Sequence, residues 1–149
     1  MIQRIYIDTS VIGGCFDIEF KEWSNLLFEE FRKGKLKIIY SEITIDELED
    51  APQHVKDLLH SIKDNHKEYV TITDEVLILA ETYIKEKVVG KTSRADCIHI
   101  ALATINKVDI LVSWNFKHIV NINRIRGYNS VNLRLGYQTL EIRTPKEIL

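Results

Sequence analysis

Residues 1–14 read MIQRIYIDTSVIGG: an apolar run closed by an acid, two hydroxyls and two glycines. Ile2, Ile5, Tyr6 and Ile7 fall on both faces of an extended segment, the pattern of a strand covered by helices on either side. A carboxylate at the tip of such a strand has two readings. Asp8 either caps the turn TSVIGG or stands at the carboxyl end of a strand in a parallel α/β sheet, which is where ligands bind in that architecture.

The rest of the chain alternates as that architecture requires. Trp23, Leu26, Leu27, Phe28 and Phe31 recur at helical spacing within Phe20–Arg32, and Gly34 closes the segment. LKIIY (36–40) is a second strand. SEITIDELED (41–50) starts with a hydroxyl suited to capping a helix, and Pro52 opens another helix through Leu58, Leu59 and Ile62. YVTIT (69–73) reads as a strand, Asp74 as the cap of a helix running from Val76 to Ile84, and VVGKTS (88–93) as a loop. RADCIHIALATINK (94–107) is the most helix-favouring stretch and VDILVS (108–113) a buried-type strand. The expected fold is a three-layer α/β/α sandwich around a mostly parallel sheet, built as one domain over 1–149. In 121–136, Asn, Arg and Gly break the periodicity, so this segment has no assignment; LEIRT (140–144) reads as an added strand and TPKEIL (144–149) as a capped terminal turn.

With 149 residues the chain can bury a core without disulfides. Cys15 and Cys97 are far apart and outside any Cys-x-x-Cys pattern, so both read as buried small hydrophobes, and a cytoplasmic location without membrane association is expected. The formal charge of −2 is uneven: residues 1–114 carry −6 and 115–149 carry +4. Lys117, Arg124, Arg126, Arg134, Arg143 and Lys146, with Tyr128 and Tyr137 among them, suit phosphate contact and base stacking, although a solvated surface has the same composition.

Position along the strands separates working acids from decorative ones. Asp8 ends the first strand, Glu42, Asp46, Glu47, Glu49 and Asp50 follow the second, Asp96 opens the helix before the fourth and Asn115 lies just beyond it. Asp109 begins its strand and so lies at the far end. Glu47 shares a helical face with Ile43, which draws its stem inward relative to Asp46 or Asp50. For Asp96 the competing reading is compensation of the helix dipole. Several acids without matching bases call for a divalent cation, and oxygen donors select Mg²⁺ or Mn²⁺ over zinc. Such a site suits in-line phosphoryl chemistry. His54, His60 and His66 scatter around a helix and read as surface residues, His99 as a core histidine or a supporting neighbour of Asp96. GKTS lacks the earlier glycine of a phosphate-binding loop.

IYIDTSVI (5–12 with its preceding strand), SEITIDEL (41–48), SRADCIHIALA (93–103) and ILVSWNFKHI (110–119) together resemble the PIN domain, the metal-dependent ribonuclease fold that includes the VapC toxins of toxin–antitoxin pairs. The resemblance runs through Phe116, and the stretch from Asn121 onward reads as a basic C-terminal extension, longer than a minimal version of that fold needs. It implies that Asp8, Glu47 and Asp96 bind metal, that Ser10 supports the first acid or a water on the ion, and that Asn115 stands where the family usually carries a fourth acid. The Asn115 amide oxygen can still ligate a hard cation directly or through water, but the neutral group removes one charge, so a second ion should bind more weakly. Also implied are an RNA substrate cut to leave 5′-phosphate ends, a small antitoxin and pairing into a homodimer. Arg94, Arg124, Arg126 and Arg134 are the expected nucleic-acid contacts. A rival reading is a PIN-like module that has lost efficient chemistry and binds RNA or protein.

Overall fold

The computed structural model describes residues 1–90 and 93–149; of the expected loop over 88–93, Lys91 and Thr92 lie outside the described residues. Five strands form one sheet in the order β3-β2-β1-β4-β5, and every pairing is parallel. They are β1 (Gln3–Ile7), β2 (Leu36–Ser41), β3 (Lys67–Val70), β4 (Ile110–Val112) and β5 (Ile142–Arg143). β1 is central. Its alternation divides two cores: Tyr6 packs with Ile39 and Leu111 on one face, while Ile5 and Ile7 pack with Ile38, Ile110 and Val112 on the other. Ile2 is exposed and precedes the strand.

The helices that cover the sheet are α1 (Thr9–Gly14), α2 (Lys21–Arg32), α3 (Glu42–Leu48), α4 (Gln53–His60), α5 (Asp74–Lys85), α6 (Arg94–Ile105), α7 (Ile122–Arg134) and α8 (Pro145–Ile148). The expected α/β/α sandwich is therefore present. α6 supplies the most deeply buried helical face, from Cys97 through Thr104. Both cysteines are buried, and burial pushes each thiol up to about 12. No described helix is long and apolar enough to cross a membrane.

Three local features depart from the sequence reading. The cap of α5 is Thr73, whose hydroxyl accepts from the Val76 amide; Asp74 is the first helical residue, where its charge suits the helix dipole. Residues 121–136, which showed no clean period, form α7 behind an Asn121 cap whose side-chain oxygen accepts from the amides of Asn123 and Arg124. The glycine that broke the pattern is a packing device: a Cβ on Gly127 would lie 2.8 Å from a Val88 methyl. The basic C-terminal segment is thus no appendage, since Tyr128, Val131, Leu140 and Ile142 join the same core and β5 joins the sheet.

Adjacent glycines of α1 offer an internal control. A Cβ on Gly14 would meet Ser24 Oγ at 2.6 Å and Trp114 Nε1 at 2.8 Å, whereas a Cβ on Gly13 meets nothing within 4 Å. Helix propensity alone favours alanine at both. We expect Gly13→Ala to raise unfolding free energy by about 0.5–1 kcal/mol and Gly14→Ala to lower it by about 1–3 kcal/mol through overpacking, as measured by urea denaturation.

Candidate functional site

From β1 the chain runs outward through β2 to β3 on one side, then returns to place β4 and β5 on the other. The strand order thus reverses between β1 and β4, and the crevice beyond their carboxyl ends is where a parallel α/β sheet receives ligands. Asp8 follows β1 and Ser113 follows β4, so both sit at this point.

Asp8 is 4% exposed. It occupies the N-cap position of α1, yet its side chain makes no capping bond. Instead Ser10 Oγ donates to Oδ1 and Ser113 Oγ donates to Oδ2, each at 2.6 Å. Ser10 Oγ also accepts from the Trp114 amide at 2.9 Å, and Ser113 Oγ from the Asn115 amide at 2.9 Å. Two hydroxyls, each fixed by a backbone N–H, hold one carboxylate. Burial raises the Asp8 pKa, opposed by the charge of His99, by hydrogen bonds from Ser10 and Ser113 and by the Val11 amide.

Glu47 and Asp96 approach from α3 and α6. Glu47 Oε1 accepts from His99 Nε2 at 2.6 Å and from Thr9 Oγ1 at 2.8 Å. Burial raises the Glu47 pKa, but the hydrogen bond and charge of His99, with the Thr9 bond, outweigh it and leave the group below the usual range. Half-buried Asp96 is raised, first by burial; the charges of Asp8 and Glu47 add to this, while His99 and His118 oppose it. Asp96 therefore feels the charges of both other acids. Asp46, Glu49 and Asp50 are exposed, and Asp109 accepts from the Arg4 amide at the opposite end of the sheet.

Asn115 departs from a ligand role. Its Oδ1 accepts from the amides of Lys117 and His118, at 3.1 and 3.0 Å, and its Nδ2 donates to Asp96 Oδ2 at 3.2 Å. Two backbone donors fix which end of the amide is oxygen. The side chain thus meets the acids with N–H rather than with the oxygen that could ligate a hard cation.

The donor set is rich in carboxylate oxygen and fits Mg²⁺ or Mn²⁺ rather than a soft metal. Among the described residues, no three Asp, Glu, His or Cys side chains are drawn together as a closed ligand group. Glu47 is turned to His99, and Asp8 to its two serines.

The basic residues mostly have local partners. Arg94 pairs with Glu81, Arg134 with Glu86 at 2.6 Å, and Arg124 donates to the Val88 carbonyl. Exposed Arg126 has no ion-pair partner among the described residues. Tyr128 is not a stacking surface: it is fully buried and donates to the His118 carbonyl. Tyr137 donates to Glu75. Sequence reading overlooked the aromatic group beside the acids. Phe20 stacks on Trp114 at 4.3 Å between centroids, and Phe116, 51% exposed, lies 6.2 Å from Phe20. The signal was present in Trp114 and Phe116 flanking Asn115. Tyr6, Thr9 and His118 were also missed, because their places depend on contacts distant in the chain.

Among solved structures, the chain is similar to VapBC2 from Rickettsia felis bound to a DNA fragment from their promoter, with 14% identity and a TM-score of 0.57. It is also similar to FitAcB from Neisseria gonorrhoeae, with 15% identity and a TM-score of 0.59. Each likeness covers 95% of this chain and 98% of the other. The fold is PIN-like. At this identity the likeness speaks to architecture alone, and at 95% coverage it reaches beyond Phe116. No family model and no curated protein matches the chain.

The geometry of Asn115 sets up a test. Asn115→Asp retains an oxygen for the turn but sets a second oxygen against Asp96 Oδ2 in place of a donor. We expect it to lose about 2 kcal/mol of stability in EDTA and to regain much of that with Mg²⁺ or Mn²⁺, as followed by thermal unfolding.

Proposed function

We propose that this protein is a metal-dependent endoribonuclease of the PIN type, and that it serves as the toxin of a toxin–antitoxin pair. The observation that carries the nuclease reading is the buried Asp8 carboxylate held by two hydroxyls at the strand switch point, with Asp96 near enough to feel the charges of both Asp8 and Glu47. Asp8, Asp96 and Glu47 are the groups that would hold Mg²⁺ or Mn²⁺. The bound ion supplies Lewis acidity: it lowers the pKa of water and neutralises charge on the phosphate.

The protein's own contributions follow from its geometry. Ser10 and Ser113 hold Asp8 with both oxygens directed, so no rotamer search accompanies substrate arrival. Asn115 holds Asp96 through one N–H and removes the negative charge a carboxylate would bring there. Phe116 offers a ring beside the acids on which an unpaired base can stack, and Lys117 next to it is exposed and able to meet a phosphate. Arg94, Arg124, Arg126 and Arg134 remain proposed backbone contacts; the first, second and fourth would exchange their local partners for phosphate. Cleavage by water leaves 5′-phosphate ends.

The toxin reading is supported by the likeness to VapBC2 and FitAcB, and it predicts a small antitoxin encoded beside this gene. A second reading, an RNA- or protein-binding module with little chemistry, is favoured by Asn115, whose oxygen is committed to its own turn.

Titration of Mg²⁺ and Mn²⁺ into wild type and Asp8→Asn, with RNA cleavage and end chemistry as readout, separates these. The nuclease reading expects metal-dependent cutting to 5′-phosphate ends, abolished by EDTA and reduced at least about 10²-fold by the substitution. Ends bearing 2′,3′-cyclic phosphate would overturn hydrolysis by water. Tight RNA binding without cutting in either protein would establish the binding module instead.

A further inference from the structure

Glu47 is the most exposed of the three acids, and it sits near the end of the seven-residue α3. A carboxylate in that position has rotamers to lose. Its conformation is nevertheless determined by a buried line of hydrogen bonds that begins on α3 itself. Ser41 caps α3 in a reciprocal box with Thr44: the Thr44 amide donates to Ser41 Oγ at 3.4 Å and the Ser41 amide to Thr44 Oγ1 at 3.2 Å. Ser41 Oγ lies 2.8 Å from the Tyr6 hydroxyl, which lies 2.6 Å from His99 Nδ1; His99 Nε2 then reaches Glu47 Oε1 at 2.6 Å.

The direction of the last bond in this line is set by Glu47. An ionised carboxylate only accepts, so His99 Nε2 carries the proton that is donated to Glu47. In the neutral ring Nδ1 accepts from the Tyr6 O–H and the Tyr6 oxygen accepts from Ser41; in the charged ring Nδ1 donates to the Tyr6 oxygen, and the Nε2–H bond to Glu47 is the same in both. Tyr6 and Ser41 are fully buried and His99 is 1% exposed, so water does not compete for these bonds. The line leaves the start of α3, crosses β1 and α6, and returns to α3 at Glu47. Both ends of the helix are thereby referred to the same central strand that carries Asp8.

We propose that His99 is the positioning residue for Glu47: its Nε2–H fixes Oε1 and leaves Oε2, which has no hydrogen-bond partner among the described residues, as the oxygen offered to a divalent cation. This rests on the cation reading of the site. Thr9 donates to the same oxygen from the exposed side, and so reinforces the choice that His99 makes from within.

The test is Mn²⁺ binding to the RNA-free full chain, measured by electron paramagnetic resonance, with thermal unfolding of every variant. His99→Leu fills the space without a donor, whereas His99→Gln restores an N–H at a similar reach. We expect His99→Leu to weaken Mn²⁺ binding about tenfold, His99→Gln to recover most of that loss, and Tyr6→Phe to show a smaller loss. In a Glu47→Ala background, His99→Leu should cause no further loss, because its effect passes through Glu47. A folded His99→Leu protein that binds Mn²⁺ as wild type does, or a His99→Gln protein no better than His99→Leu, would overturn the positioning role while the cation reading stood. Wild type that binds no Mn²⁺ would remove the cation reading itself, and the role assigned to His99 with it.

Discussion

A carboxylate taken almost wholly out of water at the tip of a central strand is costly unless its charge is met by donors. In this protein Asp8 is met by Ser10 from α1 and Ser113 from beyond β4. The Ser113 hydroxyl is available only if β1 and β4 are neighbours in register, as Ile5 to Ile7 and Ile110 to Val112 are. The same hydroxyls take the amides of Trp114 and Asn115, so the turn after β4 is built on the carboxylate it helps to hold. Sheet order, the turn and the acid are mutually dependent, and the remaining acids are arranged around this point.

Much of this was legible in the sequence because it is encoded by local periodicity. The alternation of Ile5, Tyr6 and Ile7 anticipated two cores, and the structure assigns those side chains to opposite faces. The α/β alternation and the strand-end location of Asp8 followed from the same pattern. What was not legible depends on distant partners. Gly127 looked like a helix breaker because Val88, nearly forty positions earlier, is the reason a side chain does not fit there. Asn115 looked able to present an oxygen to a cation; which end of an amide faces the acids is decided by two backbone N–H groups that no pattern of residue types reveals. Thr73 and Asp74 are both good caps, and the phase of α5 chose the first.

The aromatic neighbours of the site illustrate how tightly the periphery is tied to it. The Trp114 indole N–H donates to Ser24 Oγ at 2.8 Å, and Ser24 in turn donates to the Val11 carbonyl in α1. Trp114 is therefore held from both its backbone and its ring, and Phe20 lies flat against it. Gly14 is the concession that lets this ring approach α1. An exposed ring at Phe116 next to such a braced pair has a rigid backing that a solitary surface phenylalanine lacks.

The outer strands carry a consequence for assembly. β5 is two residues long, and β3, at the other margin, is four residues long with Lys67 and Glu68 at its start, the latter ion-paired with Arg4. Short, charged margins offer little backbone for another chain to zip onto. A sheet that ends this abruptly on both sides is closed to growth by strand addition, which directs any self-association or partner docking to its helical layers.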